Sequence, residues 1–189
     1  MRNTVLSIMF TASVLMGADA AFAHINLVTP LPLMSGHAYD DTALKAAPFG
    51  APGIEAGTAP STIVKSGSKI DIVLDIYKVH PGEIVVSYTR DMNGEDVEPV
   101  YEIASTKTPI PHKNVLFQGA SPCSPTVGCA TAAADAGQFR ASVLLPDLEG
   151  DIILVVRQVM RDKTEVLDDG MIDLSQVYYH QAAKLTLER

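Results

Sequence analysis

The eight-residue run Lys69-Ile70-Asp71-Ile72-Val73-Leu74-Asp75-Ile76 carries an apolar side chain at every even position. Alternation with a period of two gives a strand one continuous apolar face, whereas a helix would scatter the same residues around its axis. Runs of similar character recur at 83–90 (EIVVSYTR), 99–103, 115–117, 138–145 (QFRASVLL), 151–159 (DIILVVRQV) and 177–187. Turn formers separate them: Pro81-Gly82, Asn93-Gly94, Pro146-Asp147 and Glu149-Gly150. Many short β-branched runs with such punctuation predict an all-β fold, an antiparallel β-sandwich of immunoglobulin or fibronectin type III character. Residues 29–62, rich in Pro, Gly, Ala and Ser, and residues 118–137, small and polar, break the rhythm. They are expected to be long loops, and long loops on rigid sheets are where sites usually sit. There is no internal repeat and no sign of a second domain.

The N-terminal 23 residues have another purpose. Arg2 supplies a positive start, Thr4 to Gly17 is mostly apolar, and Ala21-Phe22-Ala23 is a small-x-small cleavage site. This is the pattern of a secretory signal peptide. Residues 24–189 then form a single domain, large enough to bury a core, in a periplasmic or secreted protein. No later apolar run is long enough to span a bilayer, so no membrane is expected after cleavage. The net charge of −8 argues against nucleic acid and anionic membrane surfaces, and its simplest purpose is solubility.

Two cysteines, Cys123 and Cys129, lie in the segment CSPTVGC. In an oxidising compartment they are expected to form a local disulfide, closed over a short loop containing Pro125 and Gly128. Their spacing fits neither C-x-x-C zinc pairs nor redox motifs.

Cleavage after Ala23 would make His24 the first residue. A histidine at a free N-terminus offers its α-amine and its ring Nδ1 to one metal ion, a chelate that no internal histidine can make. One more imidazole completes a planar three-nitrogen set, which suits Cu(II). There are five histidines in the chain. His80 is the natural partner, because it sits at a turn just past the strongest strand and Pro81 biases it to an extended backbone. On the last strand, alternation puts Gln176, Tyr178 and His180 on one face and Tyr179 on the other. That polar face is expected to cap the metal. His37 reads as a solvated loop residue and His112, between Pro111 and Lys113, as surface.

His24 after A-x-A, His80 before a turn and Gln176-x-Tyr178 on the last strand resemble the lytic polysaccharide monooxygenases, closest to their bacterial secreted relatives. The stretches KVHPGEIVVSYTRD, LPDLEGDIILVVRQVM and YYHQAAKLTL add to the likeness, which covers most of residues 24–189. The resemblance implies one copper per chain held by His24 and His80 as a histidine brace. It also implies Tyr178 as the axial ligand and Gln176 bonded to Tyr178, and leaves His180 as a neighbour of the metal or a proton donor to bound oxygen. It implies a glycan substrate, an external reductant and a monomer. Relatives often carry a cysteine where this chain has Gln181, paired with one near Phe49; here neither position is cysteine. Tryptophan is absent, and no row of aromatic residues for stacking on a sugar is recognisable.

Three functions compete on this reading. The first is a copper-dependent polysaccharide monooxygenase-like oxidase of C–H bonds. The second is a periplasmic copper-binding or copper-acquisition protein without polysaccharide activity. The third is a metal-free binding module. Against a thioether copper carrier, Met34, Met92, Met160 and Met171 form no close cluster in the sequence.

Overall fold

In the computed structural model, residues 25–33, 44–45, 47–50, 54–76, 80–93, 102–103, 112–121, 137–174 and 176–189 are described. Their regular structure is nearly all β, an immunoglobulin-like sandwich. The strands are β1 Ile25–Thr29, β2 Thr62–Lys65, β3 Lys69–Ile76, β4 Gly82–Thr89, β5 Glu102–Ile103, β6 Val115–Ala120, β7 Gly137–Leu144, β8 Gly150–Met160, β9 Glu165–Val166, β10 Ile172–Asp173 and β11 Tyr178–Glu188. One layer is β1-β3-β7 and the other β2-β11-β8-β4-β6, with the small sheet β5-β10-β9 beside them. Pairing is antiparallel except for β2, which runs parallel to the end of β11. A separate 3-10 turn, Arg161–Lys163, follows β8.

The alternation of β3 turns Ile72, Leu74 and Ile76 inward, where they meet Val86, Leu154, Val156 and Tyr179 of the opposite layer. Each such side chain contributes about 1.5–3 kcal/mol by leaving water. β8 has no polar face because both of its faces are covered. Ile152, Leu154 and Val156 enter the core between the sheets, while Ile153 and Val155 pack outward under Phe49 and Ala56. Near the other end of that outer face, Val159, Val85 and Tyr178 pack with Ile172, Leu174 and Val177. The outer face of the five-stranded sheet is therefore buried by the chain's own excursions.

Gln181 ties the layers together. Its Oε1 accepts from the Leu27 N–H at 3.2 Å and its Nε2 donates to the Ile25 carbonyl at 3.4 Å. Gly50 lies against β11. Its φ of +88° favours glycine, and a Cβ there would fall 2.0 Å from the His180 carbonyl oxygen.

The expected strands appear, most with ends shifted by a residue or so; of the 99–103 run, Glu102–Ile103 are described and form β5. The expected 29–62 loop holds no strand among its described residues between the end of β1 at Thr29 and the start of β2 at Thr62. The 118–137 loop starts later than expected, because β6 continues to Ala120. The signal segment, His24, His37, Cys123 and Cys129 lie outside the described residues.

Candidate metal centre

Antiparallel registers gather several strand ends at one end of the sandwich. Ile25 pairs with Ile76, Gly82 with Met160 and Tyr178 with Val159. The start of β1, the end of β3, the start of β4, the end of β8 and the start of β11 thus meet there. His80 sits on the short link from β3 to β4. Its ring is buried, and Nδ1 lies 2.9 and 3.1 Å from the two carboxylate oxygens of Asp162. Asp162 is placed by the 3-10 turn after β8, where the Arg161 N–H donates to the Pro81 carbonyl at 2.8 Å and holds the turn beside His80.

Tyr178 and His180 share the outer face of β11, with ring centroids 5.8 Å apart and planes inclined at 36°. Tyr179 points the other way, into the core. Both Tyr178 and His180 are almost fully buried. Across the sheet, His180 is the register partner of Arg157, itself fully buried. Arg157 Nε donates to His180 Nδ1 at 3.2 Å, and Nη1 donates to Ser87 Oγ at 3.1 Å. Burial, then the nearby charges of Arg157 and His112, hold the His180 pKa well below the usual histidine range.

Gln176 departs from expectation. It precedes the first paired residue of β11, so alternation does not govern it; its side chain is exposed and its Oε1 accepts from Lys45 Nζ at 3.4 Å. Lys45 Nζ lies 5.7 Å from the Tyr179 ring centroid. The Tyr178 hydroxyl is buried and makes no hydrogen bond with Gln176.

His112 is not a surface residue either. Asn114, with φ of +50°, turns the chain at the start of β6, and the His112 ring stands edge-on to Tyr178 at 6.2 Å. Both of its ring nitrogens are closed off from solvent without a hydrogen-bond partner among the described residues. Burial lowers its pKa to about 4, assisted by Arg157 and Arg161 and opposed by Glu83. Glu83 is pushed up by burial, but hydrogen bonds from Gln118 and Arg161 bring it below the ordinary value.

Sequence reasoning missed Asp162, Arg157, Ser87 and the placement of His112. Arg157 left a signal, one charge inside the apolar run DIILVVRQV. Asp162 left none, since an Asp in Arg161-Asp162-Lys163 reads as any solvated turn. Among the described residues, no group of three His, Cys, Asp or Glu side chains could hold a metal ion. Among the same residues no helix is long and apolar enough to cross a membrane.

No protein-family model matches the chain, and no curated protein matches it. Among solved structures it is similar to a copper-bound, cellulose-active lytic polysaccharide monooxygenase at 18% identity and a TM-score of 0.36, over 68% of this chain and 53% of that one. It is similar to a chitin-binding domain from Burkholderia pseudomallei at 13% identity and a TM-score of 0.41, over 70% of this chain and 59% of that one. A third is an AA15 lytic polysaccharide monooxygenase from Thermobia domestica in the Cu(I) state, at 13% identity and a TM-score of 0.44, over 74% of each chain. The chain thus spans little more than half the length of the first two, and these likenesses concern the fold alone.

Proposed function

We propose that this chain is an exported copper-binding protein, cut after Ala23, in which the α-amine and ring of His24 and the ring of His80 would hold one copper ion, with Tyr178 as a further candidate ligand. The observation that carries the reading is the Asp162 carboxylate on His80 Nδ1. A neutral imidazole that donates through Nδ1 presents the Nε2 lone pair, and a carboxylate partner orients the ring and raises its basicity as a ligand. His24 immediately precedes Ile25, and adjacent Cα atoms are about 3.8 Å apart. Chain connectivity supports the reading: Ile25 pairs with Ile76, and four residues lead from Ile76 to His80.

His112 is the weaker candidate for the second imidazole. Its lone pair is available at neutral pH, but Arg157 and Arg161 stand close enough to depress its pKa, and the same charges repel a metal cation. His80 has a negative partner instead. The donor set of an amine and two imidazoles fits Cu(II).

Copper bound in this way would supply the oxidising chemistry, using O₂ or peroxide and an external reductant to attack a C–H bond of a glycan. The protein's part is to orient and to keep water out. In this reading the buried Tyr178 ring would close one side of the centre and Asp162 would orient the His80 ring; Ile172, Leu174 and Val177 pack with Tyr178. Copper acquisition without oxidation is the competing function, and one observation leans toward it: no Phe or Tyr is exposed among the described residues to stack on a sugar.

Copper titration of protein beginning at His24, followed by electron paramagnetic resonance, tests the site. We expect one tight Cu(II) with nitrogen ligands, lost in a chain carrying one extra residue before His24 and weakened by His80→Ala. Equal affinity in the extended chain rejects the reading. Turnover of peroxide with release of oxidised oligosaccharide separates oxidase from carrier.

A further inference from the structure

We propose that Arg157 is a positioning residue that locks His180 as the Nε2–H tautomer and so gives the Tyr178 face a fixed hydrogen-bond donor. A guanidinium donates only; it has no lone pair to offer. Arg157 Nε lies 3.2 Å from His180 Nδ1, so Nδ1 accepts that bond and the proton of the neutral ring resides on Nε2. The opposite tautomer would set two N–H groups against each other where neither can turn to water, a costly arrangement in a buried place.

The surroundings hold this geometry from several directions. Arg157 and His180 face each other in the β8–β11 register, and Val85 of β4 is the partner of Arg157 on its other side. The buried Ser87 hydroxyl accepts from Nη1 at 3.1 Å and fixes the guanidinium plane from a third strand. Gly50 packs against the His180 carbonyl and admits no side chain there. Apolar clusters flank this polar rung on both sides, formed by Val159, Val177 and Tyr178 on one and by Phe49, Ile153 and Val155 on the other.

Two consequences follow. With Nδ1 occupied and Nε2 protonated, His180 is not a metal ligand. Its Nε2–H is a donor for an oxygen acceptor on the face it shares with Tyr178. This deepens the copper reading and rests on it only for what the donor meets; the tautomer is a property of the metal-free protein.

The test is long-range ¹H–¹⁵N correlation of histidine-labelled protein, residues 24–189, at pH 7. Metal-free wild type should show His180 with an unprotonated Nδ1 and a protonated Nε2. An Nδ1–H ring, or an even mixture, overturns the proposal without any variant being needed. Arg157→Met should release the ring to a mixture, and Arg157→Lys, which keeps a donor, should restore most of the Nε2–H form. A pure Nε2–H ring in folded Arg157→Met also overturns it. Addition of diamagnetic Cu(I) should move the His24 and His80 signals and leave the His180 tautomer intact. Loss of the Nε2–H pattern on Cu(I) would make His180 a ligand and refute the inference. If no histidine responds to Cu(I), the copper reading fails while the tautomer assignment stands.

Discussion

Removing the charge of Asp162 should cost the protein copper affinity while sparing its fold. The carboxylate touches His80 Nδ1 through both oxygens, at 2.9 and 3.1 Å. The His80 side chain is 4% exposed and that of Asp162 37%, so one partner is desolvated and the other is open to water. Loss of a carboxylate behind a metal-bound histidine typically weakens binding 10- to 100-fold, and tenfold corresponds to about 1.4 kcal/mol. Asp162→Asn keeps an acceptor for Nδ1–H and loses only the charge, which water already screens in part. It should sit near the lower figure, about tenfold. Asp162→Ala removes the acceptor as well and should approach the higher one, about 2.8 kcal/mol. Competition against a chromophoric copper chelator measures both. Metal-free melting should change little in Asp162→Asn, whereas Asp162→Ala leaves the buried His80 Nδ1–H without this acceptor and should cost about 1–3 kcal/mol. Wild-type affinity in both variants would refute the argument, because His80 would then not need its partner and would not be the ligand.

Tyr178→Phe should change the Cu(II) paramagnetic resonance spectrum, and Tyr179→Phe should not, because Tyr179 points into the core between the sheets. Gly50→Ala should destabilise the protein by about 2–5 kcal/mol in urea unfolding, combining the left-handed backbone at φ +88° with overpacking against the His180 carbonyl. A loss under about 0.5 kcal/mol, the usual range for innocuous sites, would mean that the segment moves freely away from β11. The metal-free protein should lose stability as pH falls from about 6.5 toward 4. His112 has its pKa lowered to about 4 in the fold, so between that value and its unfolded value the unfolded chain binds more protons. The contribution is fully present above the unfolded pKa and is lost as pH drops through the folded one. The full shift would be worth about 3.4 kcal/mol, reduced to about 2 for a ring that is partly exposed. Urea unfolding at pH 7 and pH 4.5 checks this, and His112→Gln should reduce the difference, leaving the part of the same sign that buried His180 contributes.

The sandwich was legible because its signals are local. β3 alternates, β8 is continuously apolar, and Pro81-Gly82 and Glu149-Gly150 punctuate them, so each segment states its own state. β2 was missed because it has only four residues, TIVK, and depends on a parallel pairing with the far end of β11 that nothing nearby announces. The site was legible only where local chemistry sufficed. His80 stood out because it precedes Pro81 at a strand end. Gln176 misled because alternation was carried two residues past the point where β11 begins to pair, and outside the ladder the side chain answered to Lys45 instead. His112 misled because its neighbours Pro111 and Lys113 suggest solvent, while its burial is decided by the turn at Asn114 that sends the ring over Tyr178.

Arg157 shows where such reading stops. A lone cation in DIILVVRQV announces that something polar must meet it, but the identity of that group depends on the register between β8 and β11, which no local residue encodes. With Tyr178 opposite Val159, position 157 falls opposite His180. A slip of one residue would turn Arg157 against a side chain of the other face, since every side chain of one strand would change face relative to its partner. Register is held by burial on both faces of β8: Leu154 and Val156 must stay in the core and Ile153 and Val155 beneath Phe49. The apolar residues of β8 therefore fix, at a distance, which imidazole the guanidinium meets and which of its nitrogens keeps the proton.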